Sequence, residues 1–283
     1  MTAAFDYHRP ASVDEALSLI QQNEDAKLLA GGHSLLPAMK LRLSTPGALV
    51  DIGRLEELQY IRDGGDHIAL GAGTTHHAIE SSDLMAEKAP LLAQTAAVIG
   101  DPQVRNKGTI GGSLAHADPA ADYPAAILAT EAQIVVRGSD GERVIDAADY
   151  FIDLFLTSLG PDEIITEVRV PVQGANTGSC YLKFHNPASR FAVVGVAAQV
   201  TVENGTCSRV RIGITGAANA AFRDSGVERA LQGQAASADT IAAAAANAAQ
   251  GQELLGDTFA GEDYRRHLCR VYTGRALTQA SGG

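Results

Sequence analysis

The stretch that decides the fold is residues 30–42, AGGHSLLPAMKLR. It follows a short apolar run at residues 27–30, which predicts a strand that ends at Gly31 and Gly32. The segment LLPAMKLR then predicts a short helix, and ALVDI at residues 48–52 predicts another strand. This order of strand, glycine loop, helix and strand is typical of a small α/β unit.

A second glycine pair lies within residues 101–124, DPQVRNKGTIGGSLAHADPAADYP. This stretch is too long for a simple turn, and we expect a long functional loop. Paired glycines let the backbone adopt positive φ and approach a ligand closely, and Ser34 and Ser113 add hydroxyl donors beside the two pairs. Consecutive backbone N–H groups can form an anion-binding nest, so the two loops could converge on a pyrophosphate. Neither loop matches G-x-G-x-x-G or the Walker pattern, so the residues alone leave plain turns and nucleotide binding open.

The rest of the chain predicts an α+β fold. Ser12 and Glu15 have the spacing of a capping box before the first helix, and Pro90 interrupts a later helical segment. The strand patterns of SCYLKFH, FAVVGVAAQVTVENG and SRVRIGITGA alternate around an Asn204-Gly205 turn, and an Ala-rich helical tail follows from residue 225. We predict a first domain over residues 1–173, with lobes at about 1–55 and 56–173, and a sheet-and-helix domain over residues 174–283.

Composition narrows the function classes. The 283 residues are 46% hydrophobic and 19% charged, with a formal net charge of -11, so no positive field favours nucleic acid or an anionic membrane surface. No apolar run approaches the roughly 20 residues of a membrane span. The N-terminus has no basic segment followed by an apolar one, and the scattered cysteines form no paired motif, so we expect a cytoplasmic location. These cysteines are Cys180, Cys207 and Cys269.

No pattern in the sequence predicts a catalytic or metal centre. The pairs His76-His77 and His116-x-Asp118 could contribute metal ligands, but no third or fourth ligand joins them at a suitable spacing. GxSxG, HExxH and activated-cysteine patterns are missing from the sequence as well. A redox role would therefore need a bound organic cofactor or a centre in another chain.

The two glycine stretches resemble the FAD-binding segments of the medium subunits of molybdenum hydroxylases, and the carbon monoxide dehydrogenase type is the most similar. The opening FDYHRPASVDEAL, the segment PDEIITEVRVP and the part that begins near YLKFH resemble the same family, so the resemblance covers the whole chain. It implies the FAD-binding fold of the vanillyl-alcohol oxidase type, with two α/β lobes and a C-terminal domain.

The resemblance also implies which residues contact FAD. The first loop would wrap the pyrophosphate and part of the flavin through Leu28, Leu29, Ala30, Gly31, Gly32, His33, Ser34 and Leu35. The second half of this cradle would be Thr109, Ile110, Gly111, Gly112 and Ser113. Asp122 would accept hydrogen bonds from hydroxyls towards the adenosine end, while Ile99 and Ile165 would line the cofactor. Without the resemblance, Asp122 would be a turn residue and both isoleucines would be core residues.

Two further residues are implied to lie at the flavin. Phe191 matches the position where carbon monoxide dehydrogenase-type subunits place an aromatic ring in front of the isoalloxazine, although Tyr or Trp is the more expected ring. Such a ring would exclude water from one flavin face. Lys183 matches a lysine near the flavin, and we expect its charge to favour the negatively charged reduced flavin. Read alone, Lys183 is an outward-facing charge and Phe191 a core residue.

The implied function is an electron relay in an obligate complex. A large molybdopterin-binding subunit would oxidise the substrate, and a small iron–sulfur subunit would pass electrons to the FAD of this chain and on to an external acceptor such as quinone. We expect a dimer of heterotrimers, with membrane association only through the partners. The leading reaction is CO + H2O to CO2; related enzymes of aldehydes, purines, nicotinate or aromatic acyl thioesters are alternatives. A non-catalytic assembly subunit without FAD is the alternative of another class.

Overall fold

In the computed structural model, which describes residues 2–282, the N-terminal sheet is three-stranded and parallel, in the order β1-β3-β2. Parallel strands need a crossover between them, and a helix fills each one. The prediction of a strand, a glycine loop, a helix and a strand is confirmed. The elements are β1 (Asp6–His8), α1 (Val13–Gln22), β2 (Ala26–Leu29), α2 (Leu35–Lys40) and β3 (Ala48–Asp51).

Helix α1 begins as predicted but without the reciprocal capping box. The Ser12 hydroxyl accepts a hydrogen bond from the Glu15 backbone N–H at 3.2 Å, so the N-cap prediction is confirmed. The Glu15 carboxylate accepts from the Ala11 N–H at 2.7 Å instead of from Ser12. The capping-box prediction is therefore wrong, because the Glu15 side chain reaches one residue further back along the incoming chain.

The second sheet is five-stranded and antiparallel, in the order β4-β5-β10-β6-β7. A separate short hairpin lies between its last two strands along the chain. The strands are β4 (Ile61–Asp63), β5 (His67–Gly71), β6 (Gln133–Gly138), β7 (Gly141–Asp146), then β8 (Phe151–Asp153) and β9 (Leu156–Thr157) of the hairpin, and β10 (Ile164–Pro171).

Six helices connect β5 to β6, and two of them lie where a long loop was predicted. That prediction is wrong, because the glycine-rich stretch contains two strong N-caps. Asp101 accepts from the Val104 N–H at 2.9 Å ahead of Pro102, and Thr109 accepts from the Gly112 N–H at 3.1 Å. The helices are α3 (His76–Glu80), α4 (Asp83–Lys88), α5 (Pro90–Ala97), α6 (Pro102–Arg105), α7 (Ile110–His116) and α8 (Tyr123–Thr130).

The C-terminal part is a four-stranded antiparallel sheet covered by helices, as predicted. Asn204 and Gly205 have φ of 51° and 77°, which is the geometry of the predicted tight hairpin turn. The α+β prediction is thus confirmed. The elements are β11 (Thr177–His185), β12 (Ala192–Glu203), β13 (Thr206–Thr215), β14 (Phe222–Arg223), α9 (Ser225–Leu231), α10 (Ala238–Ala245) and α11 (Glu262–Ala280).

Helix α8 joins the second lobe to the C-terminal sheet. All eight of its residues are buried, because it packs on β10 and α5 on one side and on β12 and β13 on the other. A Cβ on Gly213 would lie 2.0 Å from the Ala125 carbonyl oxygen, so only glycine permits this approach. At the end of α8, the Glu131 carboxylate accepts from Arg211 at 2.8 Å and from Arg223 at 2.7 Å. Among residues 2–282, no helix combines the length and the apolar character needed to cross a lipid bilayer.

Candidate functional site

A cavity of about 600 Å³ is lined by residues near both N-terminal sheets and by residues 189–191 ahead of β12. This volume is in the range of small-molecule and cofactor sites. Fifteen of the eighteen residues predicted to bind a cofactor line it, and Leu29, Ile110 and Lys183 do not. The fifteen are Leu28, Ala30, Gly31, Gly32, His33, Ser34, Leu35, Ile99, Thr109, Gly111, Gly112, Ser113, Asp122, Ile165 and Phe191.

The first glycine loop leaves a row of backbone donors free. Within the described chain, the N–H groups of residues 31–34 donate to no protein acceptor. Gly32 has φ of +75°, which turns the chain from β2 into α2, and its carbonyl accepts from the Leu36 N–H at 3.1 Å. Consecutive free N–H groups on a cavity wall are the arrangement that binds anions such as phosphate.

The second glycine pair forms the first turn of α7 rather than a loop of positive φ. Of the four paired glycines, Gly32 is the one with a positive φ. Gly111 packs against Ala72 just after β5, and its N–H donates to the Ala72 carbonyl at 2.9 Å. A Cβ on Gly112 would meet the Thr109 hydroxyl at 2.8 Å, and the next atom only at 3.7 Å. Gly112 therefore lines the cavity with little beside it except the Thr109 hydroxyl.

Asp122 lies on the cavity wall and is internally paired. One of its oxygens accepts from the Tyr181 hydroxyl at 2.6 Å and the other from the Lys183 ammonium at 2.9 Å. Burial raises the pKa of Asp122, and the Lys183 charge and these hydrogen bonds oppose the shift. Each carboxylate oxygen keeps a second lone pair, so Asp122 can still accept from a ligand hydroxyl.

The structure places Lys183 behind Asp122 and not on the cavity wall. Both side chains are only 4% exposed, and the ammonium also donates to the Val98 carbonyl at 3.0 Å. The sequence-based expectation of a lysine charge acting directly at the cofactor is therefore not what this geometry favours. A paired ammonium presents little net charge to the cavity, because the carboxylate lies between.

Two known protein families match most of this chain. The family described as FAD binding domain in molybdopterin dehydrogenase matches residues 3–173, and the family described as CO dehydrogenase flavoprotein C-terminal domain matches residues 179–280. The chain belongs to this flavoprotein family. The prediction made from the two glycine stretches is confirmed at this level, and the cofactor of the family is FAD.

Individual relatives cover nearly the whole chain. The carbon monoxide dehydrogenase medium chain of Hydrogenophaga pseudoflava is 40% identical over 98% of this chain and 96% of its own. The 6-hydroxypseudooxynicotine dehydrogenase complex subunit alpha of Paenarthrobacter nicotinovorans is 39% identical, over 98% and 94%. The solved carbon monoxide dehydrogenase from Hydrogenophaga pseudoflava matches with a TM-score of 0.97 at 41% identity, over 100% of this chain and 99% of the other.

The residues of this flavoprotein chain fit FAD. The free N–H groups of residues 31–34 would suit a pyrophosphate, whereas the N–H groups of residues 110–113 in α7 already donate to protein acceptors. Ile99 and Ile165 give the cavity apolar walls for the ring system. When bound, FAD can take up electrons singly and release them in pairs, while the residues around it hold it and exclude water.

Phe191 lies on the cavity wall, in a short loop that is held by hydrogen bonds between its own residues. The Asn186 side chain accepts from the N–H groups of Ala188 and Ser189 at 2.9 and 3.2 Å, and the Phe191 carbonyl accepts from the Asn186 N–H at 2.9 Å. The Ala192 N–H then donates to the Ala120 carbonyl at 3.1 Å. The Phe191 ring is 43% exposed on the cavity wall, so the expectation of a buried core residue does not apply.

Sequence reasoning missed one wall of the cavity. Phe155, Leu156 and Thr157 of the β8–β9 hairpin line it, and the Phe155 ring lies 5.2 Å from the ring of His116. This segment reads as a simple connection, because a two-residue strand leaves no periodic signal. His76, considered above only as a metal ligand, also lines the cavity. Within residues 2–282, no three His, Cys, Asp or Glu side chains are grouped closely enough to hold a metal ion.

Proposed function

We propose that this chain is the FAD-carrying electron-relay subunit of a molybdenum-containing dehydrogenase of the carbon monoxide dehydrogenase type. The observation that carries the proposal is the row of free N–H groups at residues 31–34 on the wall of a cavity of about 600 Å³. This row of donors can bind an anion without a lysine side chain, in a chain whose formal net charge is -11. The similarity to carbon monoxide dehydrogenase medium chains from two organisms supports the enzyme type.

Each predicted site residue has a place in this proposal. The loop at residues 28–35 and the start of α7 at residues 109–113 hold the cofactor, with Leu29 and Ile110 as supports behind the wall. Asp122 accepts hydrogen bonds from ribose hydroxyls, and Phe191 covers one flavin face. The FAD-binding domain spans residues 1–173, as lobes at about 1–55 and 56–173, and the C-terminal domain spans 174–283.

The proposed electron-relay role requires partner subunits that carry out the other steps of the reaction. A large molybdopterin-binding subunit oxidises CO with water to CO2, two protons and two electrons, and a small iron–sulfur subunit carries the two electrons to this chain. An external acceptor such as quinone then receives them. The complex is a dimer of heterotrimers in the cytoplasm, and any contact with a membrane is made through the partners. The presence of large and small partners is supported by relatives that are medium chains of such complexes.

The test is purification of the chain with its native partners. We expect flavin absorption, a large and a small partner subunit, and electron transfer to a quinone analogue when CO is supplied. A complex without flavin would favour the non-catalytic assembly subunit. A partner without a molybdopterin-binding domain would contradict the proposal as a whole.

A second candidate is an enzyme that oxidises an alkaloid-type compound. The 6-hydroxypseudooxynicotine dehydrogenase subunit is nearly as similar to this chain as the carbon monoxide dehydrogenase medium chain, at 39% against 40% identity. The same purified complex separates the two candidates. Reduction of the acceptor by 6-hydroxypseudooxynicotine but not by CO would favour the second.

The role of Lys183 is tested by the flavin midpoint potential of Lys183→Met in the purified complex. A cation near the flavin offsets the charge of its reduced form, so removing the Lys183 charge should lower the potential. The ion pair with Asp122 gives a more specific expectation, because Lys183→Met leaves a buried carboxylate without its cation. The flavin potential should therefore fall in Lys183→Met. Adding Asp122→Asn in a double variant should restore it. An unchanged or higher potential in Lys183→Met would remove both explanations.

A further inference from the structure

His76 lies on the cavity wall beside the turn that leads into α7. It is the first residue of α3, and its backbone N–H donates to the Gly108 carbonyl at 2.9 Å. The residue is only 5% exposed. A Cβ on Gly108 would lie 2.5 Å from Nε2 of His76, so the imidazole packs directly against a residue that also lines the cavity. The sequence places two histidines side by side, and only the fold brings this one to the site.

The imidazole of His76 has no hydrogen-bond partner in the described part of the chain. Nδ1 is fully buried without a partner, and the neighbouring Tyr123 hydroxyl is in the same position, with ring centroids 5.3 Å apart. Nε2 makes no hydrogen bond to a described protein group. A buried polar side chain without a partner is uncommon in proteins and calls for an explanation, such as a ligand that completes it.

The chemistry of the ring follows from its surroundings. Burial lowers the pKa of His76 to about 4, and the nearby His33 and Arg105 add to the shift. The imidazole is therefore neutral near pH 7, with one N–H donor and one acceptor nitrogen. A buried N–H without an acceptor is tolerated less well than an unsatisfied acceptor. Because Nδ1 is buried without an acceptor, we assign the proton to Nε2, which lies beside Gly108.

We propose that His76 is a cofactor-binding residue that donates its Nε2 hydrogen to a pyrophosphate oxygen of FAD. The inference rests on the proposed function and adds a side-chain donor to the backbone donors of the first loop. The pyrophosphate is the favoured acceptor because Gly108 packs against both Nε2 of His76 and Gly31, the first residue of the row of free N–H groups on the same cavity wall. A neutral donor adds hydrogen bonding there without a buried positive charge.

The experiment measures FAD affinity by flavin fluorescence in the purified complex after its flavin has been removed. His76→Leu should weaken binding by about 10- to 100-fold, the usual range for a hydrogen bond to a charged acceptor. His76→Gln, which keeps an N–H donor, should recover most of that loss. The matched control is His77→Leu, because His77 is 59% exposed, lies near Glu80 and is not on the cavity wall.

Two competitors locate the contact along the cofactor. ADP carries the pyrophosphate and riboflavin does not, so His76→Leu should weaken ADP binding by a factor similar to that for FAD and leave riboflavin binding unchanged. Weakened riboflavin binding with unchanged ADP binding would overturn the pyrophosphate assignment. A wild-type complex that binds no FAD would instead overturn the proposed function itself.

A structural role for His76 gives a different result. It would lower the unfolding midpoint of the flavin-free complex in His76→Leu and leave the FAD affinity of the folded fraction unchanged, which would overturn the proposal. If His76→Leu does not fold, His76→Asn replaces it, because its amide is too short to reach the same acceptor. His76→Asn should then bind FAD more weakly than His76→Gln, and equal affinities would contradict the inference.

Discussion

The two glycine pairs look alike in sequence but meet different physical demands. In the first pair, Gly31 lies against the backbone of Lys107 and Gly108, and Gly32 provides the positive φ of the turn. In the second pair, Gly111 packs against Ala72 just after β5, whereas a Cβ on Gly112 would closely approach the Thr109 hydroxyl and no other side chain. Three of the four glycines are therefore required by close packing or by a positive φ. Gly112 is the one at which the missing side chain leaves space for a ligand. Single substitutions to alanine can test this division.

Gly31→Ala should have the largest effect. A Cβ there would lie 2.2 Å from the Lys107 carbonyl oxygen and 2.7 Å from the Gly108 Cα, and backbone cannot yield as a side chain can. We expect the free energy of unfolding to fall by about 3 kcal/mol or more, with loss of FAD, because the lobes must separate. Urea unfolding measures this. Gly47→Ala, whose Cβ would meet its nearest neighbour at 3.5 Å, is the control, and equal losses in the two variants would contradict the packing explanation.

Gly111→Ala should come second. Its Cβ would lie 2.6 Å from the Ala72 Cβ and 2.7 Å from the Ala72 carbonyl oxygen. Alanine favours the helix by about 1 kcal/mol, which offsets part of the steric cost, so we expect a net loss of about 2 kcal/mol in unfolding free energy. The same urea experiment measures it. A stabilised Gly111→Ala variant would show that α7 can move away from β5 at little cost.

Gly32→Ala should cost about 1 kcal/mol, because it places a side chain at φ of +75°. The nearest atom to its Cβ is the end of the flexible Leu36 side chain at 2.9 Å, which can move. Gly65→Ala is the matched control, since Gly65 has φ of +92° and nothing within 4 Å. Thermal unfolding of both should give similar losses. A much larger loss in Gly32→Ala would mean that packing and not φ sets the requirement.

Gly112→Ala should change stability least and still weaken FAD binding. The gain in helix propensity of about 1 kcal/mol opposes a contact with the Thr109 hydroxyl at 2.8 Å, so the unfolding free energy should stay within about 0.5 kcal/mol of the wild type. A methyl group at the cavity opening should lower FAD affinity, as measured by fluorescence titration. Unchanged affinity would mean that Gly112 does not face the cofactor.

Much of the fold could be predicted from local signals. Alternation of apolar residues and the Asn204-Gly205 turn predicted the C-terminal hairpin, and the apolar run before Gly31 predicted β2. The helices within residues 101–124 were missed because glycine content argued for a loop, whereas the caps at Asp101 and Thr109 outweighed it. The β8–β9 hairpin was missed because strands this short have no period to detect.

The sequence by itself determined the α+β class, the two glycine stretches and, through their resemblance to a known family, the FAD-binding identity. Only the tertiary structure decided which donors and charges face the cavity. It left the N–H groups of residues 31–34 free, placed Lys183 behind Asp122, and buried His76 at the wall without a partner. The physical reason is the separation in sequence of the interacting residues. Turns, caps and periodicity depend on near neighbours, whereas Asp122 and Lys183 are 61 positions apart in the chain.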